Sequence, residues 1–185
     1  MHILMRGDVV MNDILDIIVS RRSVKNYKSD MVDDELIDKV IKAGMYAPSG
    51  KNKQSPIIIA VTNKKIRDEL SNVSASLRGM NTSFDPFYNA PVLLMVLANK
   101  EMFTYVYDGS VVMENMLLEA HSLGLGACWI HWSKELFETD YGKNLLKGLG
   151  IDGDYEGIGT CILGYPNGES KDPLPRKDDY VYYIK

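Results

Sequence analysis

The stretch Tyr105–Leu123 constrains the fold most. Val112, Met116 and Ala120 recur on one helical stripe with Val111 and Leu118 beside it, so apolar residues nearly surround the helix. A helix of that kind is normally central, packed against its own sheet and often against a second subunit.

The rest of the chain supplies a sheet for it. Pro56 opens Ile57–Val61, a run too short for a helix and rich in β-branched residues, which reads as a strand buried on both faces. Val92–Leu97 reads as a second buried strand, Gly124–Ile130 as a third and Ile158–Leu163 as a fourth, before an extended tail ending in Tyr180–Ile184. Helices are expected from Asn12 or Asp13 to Arg21-Arg22, from Asp33 or Asp34 to about Gly44, over residues 64–77, and briefly after Ser133. Gly79–Asn89, with Pro86 and two aromatics, reads as a loose segment and a candidate lid. Strands and helices are mixed without strict alternation, which gives an α+β fold with a central sheet wrapped by helices. At 185 residues there is room for one domain, placed at 11–185 after an extension over 1–10.

Several functions are excluded at this level. A formal charge of -4 argues against nucleic-acid binding, which needs many phosphate-neutralising cations on one surface. The early Arg6 and Asp8 interrupt any signal-peptide core, and no apolar stretch is long enough to span a membrane, so the cytoplasm is the default location. Cys128 and Cys161 lie far apart in apolar runs, without a Cys/His cluster, and read as reduced, buried small hydrophobes. Trp129 stands where a dinucleotide fingerprint starting at Gly124 needs its third glycine, and the chain has no P-loop lysine motif. His2, His121 and His131 have neither the spacing of metal ligands nor a GxSxG serine to serve, so no metal site is expected.

Three polar segments remain. Arg21-Arg22-Ser23-Val24-Lys25 sets three cations and a hydroxyl at a helix-to-loop boundary, where guanidinium forks match phosphate oxygens; a solvated basic patch complementing the helix dipole is the alternative. Pro48-Ser49-Gly50-Lys51-Asn52-Lys53-Gln54 offers amides and hydroxyls suited to a sugar or a heterocycle edge. Arg176-Lys177 adds a basic pair near the C-terminus.

In this order and spacing, these segments resemble the nitroreductase family of flavoproteins. The resemblance also takes in Asn89-Ala90-Pro91, Asn115–Leu118 and GLGACWI, and runs from Asp13 to the tail. It implies an α+β fold with a central mixed or antiparallel sheet flanked by helices, an intertwined homodimer, and FMN bound between subunits. Carried over, Arg21, Arg22, Ser23, Arg176 and Lys177 would hold the FMN phosphate, and Lys25 would face the N1/O2 edge of the ring, where reduction leaves negative charge. Pro48, Ser49, Gly50, Asn52 and Gln54 would line the ring and ribityl chain. Asp108 reads equally as a ribityl contact and as a charge favoured at a helix start. Trp129, Ile130, His131 and Trp132 match the segment that runs along one flavin face, where the two indoles read as a stacking wall or as core. An aromatic often follows Gln-Pro in the family, but here the loop reads Gln54-Ser55-Pro56.

The implied activity is ping-pong reduction of small electron-poor acceptors, nitroaromatics or quinones, with NADH or NADPH as transient donor and no catalytic side chain, since the cofactor carries the hard chemistry. The rivals are a family relative performing dehalogenation, enoate reduction or flavin destruction, an FMN carrier or redox sensor without turnover, and a dimeric interaction module.

Overall fold

In the computed structural model, which describes residues 14–81, 83–170 and 172–185, the most deeply buried element is strand β2, Val92–Asn99. Its side chains alternate between two cores, as the period of two along a strand requires. Val92, Leu94, Val96 and Ala98 enter one core, while Leu93, Met95 and Leu97 enter the other, all fully buried.

Strand β1 (Pro56–Val61) pairs with β2, β2 with β4 (Tyr155–Gly164), and β4 with β3 (Gly126–Ile130), giving the order β1-β2-β4-β3. Every neighbouring pair is antiparallel. Ile158 is the extra residue of a bulge opposite Val96 and Leu97. The expected mixed or antiparallel sheet is thus antiparallel, with an isolated parallel bridge from Ser23 to Ala127 beside it.

One face of the sheet is covered by α2 (Asp34–Met45) and α4 (Tyr105–Ser122), which bring Ile37, Val40, Val112, Met113 and Met116 into the first core. Gly44 allows α2 to cross α4 closely, since a Cβ there would lie 2.9 Å from Met116 Cγ. The other face receives Leu70 from α3 (Lys64–Leu77), Phe87, and Leu136 and Phe137 from α5 (Ser133–Glu138). Helix α6 (Asp140–Gly148) follows, and α1 (Ile14–Ser20) packs near α4. No helix among the described residues is long and apolar enough to cross a membrane.

Several expectations need correction. Strand β1 is not buried on both faces: it lies at the sheet's end, with Ile57 and Ile58 half-buried and Ala60 exposed. The helical stretch after Ser133 is two helices, divided at Thr139, whose Oγ1 caps α6 by accepting from Gly142 N at 3.1 Å. The segment expected to be loose is tied down at its far end. The Asp85 carboxylate accepts from Arg67, from Ser71 Oγ at 2.7 Å, and from the N–H groups of Phe87 (2.9 Å) and Asn89 (2.6 Å). Arg67 Nε also donates to Ala90 O at 3.1 Å. A half-buried carboxylate with that many donors anchors a loop rather than releasing a lid. The extension over 1–10 and the Asn12 or Asp13 cap fall outside the described residues.

Candidate functional site: a basic cleft and a strained loop

After α1 the chain turns along strand β3. Val24 N donates to Ala127 O (3.0 Å) and Lys28 N to Tyr165 O (2.9 Å). Gly126 permits this close approach, since a Cβ there would stand 2.8 Å from Val24 Cγ1. Asn26 and Asn167 then clasp each other: Asn167 N donates to Asn26 O at 3.0 Å and Asn26 Nδ2 to Asn167 O at 2.5 Å. Tail residues 167–170 and 172–176 therefore close over the basic segment, forming a cleft of about 590 Å³ lined by Arg21, Arg22, Ser23, Lys25 and Arg176, with Glu169 and Asp172 on the tail side.

The cations in this cleft are differently engaged. Arg21 is half-buried, and its Nε is sealed from solvent without a hydrogen-bond partner among the described residues. Arg22 donates from Nη1 to Val19 O (2.8 Å) and Arg21 O (2.6 Å), so it closes the end of α1 as well as lining the cleft. The Lys25 ammonium lies over the Tyr88 ring at 5.1 Å. Arg176 is exposed, and Lys177 turns away, paired with Asp179 at 3.8 Å and stacked over Tyr180.

Neighbouring groups register the positive field. Burial and then Arg21 and Arg22 lower the His121 pKa, while His121 Nε2 sits 2.8 Å from Ser20 Oγ. At Cys128, burial raises the pKa against the opposing pull of Ser23, Lys25 and Arg21, so the thiol stays neutral near pH 7. Burial, helped by Cys128 and opposed by Arg21, pushes Cys161 up to about 12.

The polar loop lies elsewhere. Gly50–Asn52 forms a 3₁₀ turn, and Lys51, Asn52 and Gln54 all have left-handed backbones at φ 52°, 54° and 52°. Such conformations cost free energy in non-glycine residues and need an anchor. The buried Asp108 at the start of α4 provides it, accepting from Gly50 N (2.9 Å), Thr104 Oγ1 (3.0 Å) and Ser55 Oγ (3.2 Å). Asp108 is thus placed as the clamp of the loop rather than inside the basic cleft. Ser49 Oγ accepts from Gln54 N at 2.9 Å. Pro48, Ser49 and Gln54 line a second cavity of about 360 Å³ with Ile41, Ile57, Ile58 and Val112, which shares no lining residue with the basic cleft.

The Trp129–Trp132 segment does not form a wall of two indoles. Trp129 is half-buried over Gly159, where a Cβ would meet its Nε1 at 2.4 Å, and Ile130 enters the core. His131 is exposed, and Trp132 presents its ring to the Arg78 guanidinium at 5.1 Å. Trp129 lies on β3, whereas Trp132 stands beyond the strand's end, at the N-cap of α5, where the chain has changed direction.

The structure therefore gathers Arg21, Arg22, Ser23, Lys25 and Arg176, and separately Pro48, Ser49, Gly50, Asn52 and Gln54 with Asp108 as their anchor. It adds Asn26, Asn167 and Tyr88, for which the sequence signal was weak: an Asn beside Lys25, an Asn-Gly turn pair, and one aromatic among eleven tyrosines.

An antiparallel α+β core thus carries a basic cleft and, apart from it, a strained polar loop. The chain belongs to the nitroreductase family, whose model matches residues 18–165. It is 31% identical over 165 residues to a protein named as an NADH dehydrogenase/NAD(P)H nitroreductase from Archaeoglobus fulgidus, covering 86% of this chain and 88% of that one. A like-named Methanothermobacter thermautotrophicus protein is 33% identical over 127 residues, or 66% of this chain, which spans 63% of it. Among solved structures, a nitroreductase with bound FMN from Bacteroides fragilis superposes with a TM-score of 0.83 at 25% identity, covering 95% of this chain and all of that one.

Proposed function

We propose that this protein is an FMN-dependent oxidoreductase that draws electrons from NADH or NADPH and reduces nitroaromatics, quinones or similar electron-poor acceptors. Donor and acceptor exchange in one pocket by a ping-pong scheme, and the working unit is a homodimer. The reading rests foremost on Arg21, a half-buried guanidinium with no hydrogen-bond partner among the described residues, in a cleft shared with Ser23, Lys25 and Arg176. Phosphate oxygens would engage the Nη groups of that guanidinium with charge-assisted bonds.

These residues fit FMN. The cleft volume lies in the range of ordinary ligand sites, and its four cations outnumber the carboxylates of Glu169 and Asp172, as a phosphate dianion requires. When bound, FMN would supply the two-electron chemistry, accepting hydride from the nicotinamide and passing the electrons to the acceptor. Arg21, Ser23 and Arg176 hold the phosphate, with Arg22 fixing the end of α1 beside them. Lys25 would place a positive charge where reduction would build negative charge. The neutral Cys128 thiol takes no part, and solvent supplies the protons.

The separation of the two candidate segments supports the homodimer. If the cleft and the Pro48–Gln54 loop serve one flavin, they are supplied by different copies, as a two-fold pair permits. Ile14, Ile18 and Val19 on α1, Tyr107 on α4 and the tail residues Tyr180–Ile184 are exposed, more apolar surface than a monomer ordinarily leaves uncovered. Initial rates with NADH and a quinone varied together test the scheme: parallel double-reciprocal lines are expected, and intersecting lines would contradict it. Light scattering on the purified protein should give the mass of two chains; one chain's mass would remove the shared site.

A further inference from the structure

The segment between α3 and β2 carries two non-glycine residues in the left-handed region, Tyr88 at φ 54° and Asn89 at φ 58°. Such a backbone costs free energy, the more so in a bulky residue, and persists only where the surroundings fix it. Here they fix it from both sides. Tyr88 N donates to Asp85 O at 3.0 Å and Asn89 N to the Asp85 carboxylate at 2.6 Å, while Ala90 N donates to Phe87 O at 3.0 Å. Phe87 and Ala90 are buried, and Arg67 holds both the Asp85 carboxylate and Ala90 O. A connection between a helix and a strand does not itself require a left-handed tyrosine. What the turn achieves is to fix the direction of the Tyr88 ring.

That ring is half-buried and braced by Phe84, edge to face, with centroids 6.3 Å apart. The Lys25 ammonium lies over it, 5.1 Å from the centroid. Lys25 is otherwise exposed. It lines both the basic cleft and a neighbouring cavity of about 340 Å³, and Tyr88 lines the second cavity but not the first. Lys25 thus stands on the partition between the two, with the tyrosine ring on the side away from the cleft.

We propose that Tyr88 is a positioning residue of the reductase: its ring holds the Lys25 ammonium at the edge of the cofactor cleft, so that the positive charge is in place when the flavin is reduced. This rests on the flavin reading above and on Lys25 as the cation facing the developing charge. An ammonium on a flexible four-carbon stem loses rotamer entropy when it is fixed. A ring face beneath it offsets that loss without neutralising the charge, whereas a carboxylate partner would cancel the field that reduction calls for. The carboxylate of the same turn, Asp85, is committed to Arg67, Ser71 and two backbone N–H groups, which leaves Lys25 to the ring. Tyr88 therefore acts through Lys25 and not on the flavin itself.

Two readouts test this, one of them without flavin. In FMN-free protein carrying isotope-labelled lysine, the Lys25 ε-methylene protons, assigned by their absence from Lys25→Met, should resonate upfield of the other lysines because they lie over an aromatic face. Tyr88→Asn, whose side chain suits a left-handed backbone, should return them to the ordinary position, and Tyr88→Phe should keep the shift. In FMN-loaded protein the midpoint potential, read against a reference dye, should fall in Tyr88→Asn by the equivalent of about a two- to fivefold loss of affinity for reduced relative to oxidised FMN. Tyr88→Phe should stay near wild type. In a Lys25→Met background, Tyr88→Asn should leave the potential where Lys25→Met alone puts it.

An unshifted Lys25 signal in wild type, an unchanged potential in Tyr88→Asn, or an equal fall in the Lys25→Met background would overturn the proposal and leave the flavin reading intact. If Tyr88→Asn does not fold, Tyr88→Gly carries the same expectations, since glycine relieves the strain. If neither folds, the wild-type Lys25 signal decides. A wild-type protein that binds no FMN contradicts both this proposal and the flavin reading.

Discussion

Val92–Ala98 and Tyr180–Ile184 are both apolar runs, yet only the first is buried by its own chain. Every side chain from Val92 to Ala98 is inaccessible, whereas Tyr182 and Tyr183 are each 81% exposed and Ile184 is fully so. Helix α1 behaves like the tail, with Ile18 48% exposed and no buried residue. The central sheet is a finished structure, while α1 and the tail carry apolar surface that the other described residues leave exposed. The contrast separates what makes the fold from what completes the site, because the basic cleft is built from the end of α1 and the tail.

The comparison can be sharpened by substitution, and the largest effect belongs to the finished region. Arg67→Ala should cost about 3–5 kcal/mol in denaturant unfolding, because it strands the Asp85 carboxylate among donors it was arranged to share. Burial opposes ionisation of Asp85, but hydrogen bonds from Arg67, Ser71 and Phe87 N–H prevail and hold its pKa below the usual carboxylate value. That group's contribution to stability is therefore present above about pH 4, the unfolded-chain value, and is lost as pH falls through the lower folded value. In Arg67→Ala the acid limb of the stability profile should flatten. Leu94→Ala in β2 should cost about 3 kcal/mol by leaving a cavity in the first core.

Smaller effects are expected at the ends. Arg21→Ala should weaken FMN binding about tenfold or more by removing a charged phosphate partner, with stability of the unliganded chain nearly unchanged. Lys25→Met should bind FMN but lower its reduction potential, measured against a reference dye. Ile18→Ser should change unfolding by less than about 0.5 kcal/mol when subunits are dissociated, yet weaken dimer association in sedimentation. If it destabilised the isolated chain as strongly as Leu94→Ala, the contrast between finished core and unfinished ends would be wrong.

How far the sequence carried the argument differs by region for the same reason. The strands near 57–61, 92–97 and 158–163 were legible as short apolar runs, and the long helix as a stripe through Val112, Met116 and Ala120, because both signals lie in the local sequence. The edge position of β1 was not, since neighbours in a sheet are fixed by pairings distant in sequence. Arg21, Ser23, Lys25 and Arg176 could be grouped from their chemistry and family resemblance, and the fold brings them to one cleft. The engagement of Asp108 by Gly50, Ser55 and Thr104, and the different settings of Trp129 and Trp132, depend on backbone geometry that residue type does not encode. The anchoring of 79–89 was hidden because Arg67 and Asp85 look like surface charges until the turn places them together.

The most direct test of the account is the visible absorption spectrum of the purified protein, reconstituted with FMN and titrated anaerobically with NADH and then NADPH. Bound-flavin bands that bleach on addition of one or both nucleotides are the predicted result. A protein that retains no flavin, or whose bound flavin neither nucleotide bleaches, would contradict it.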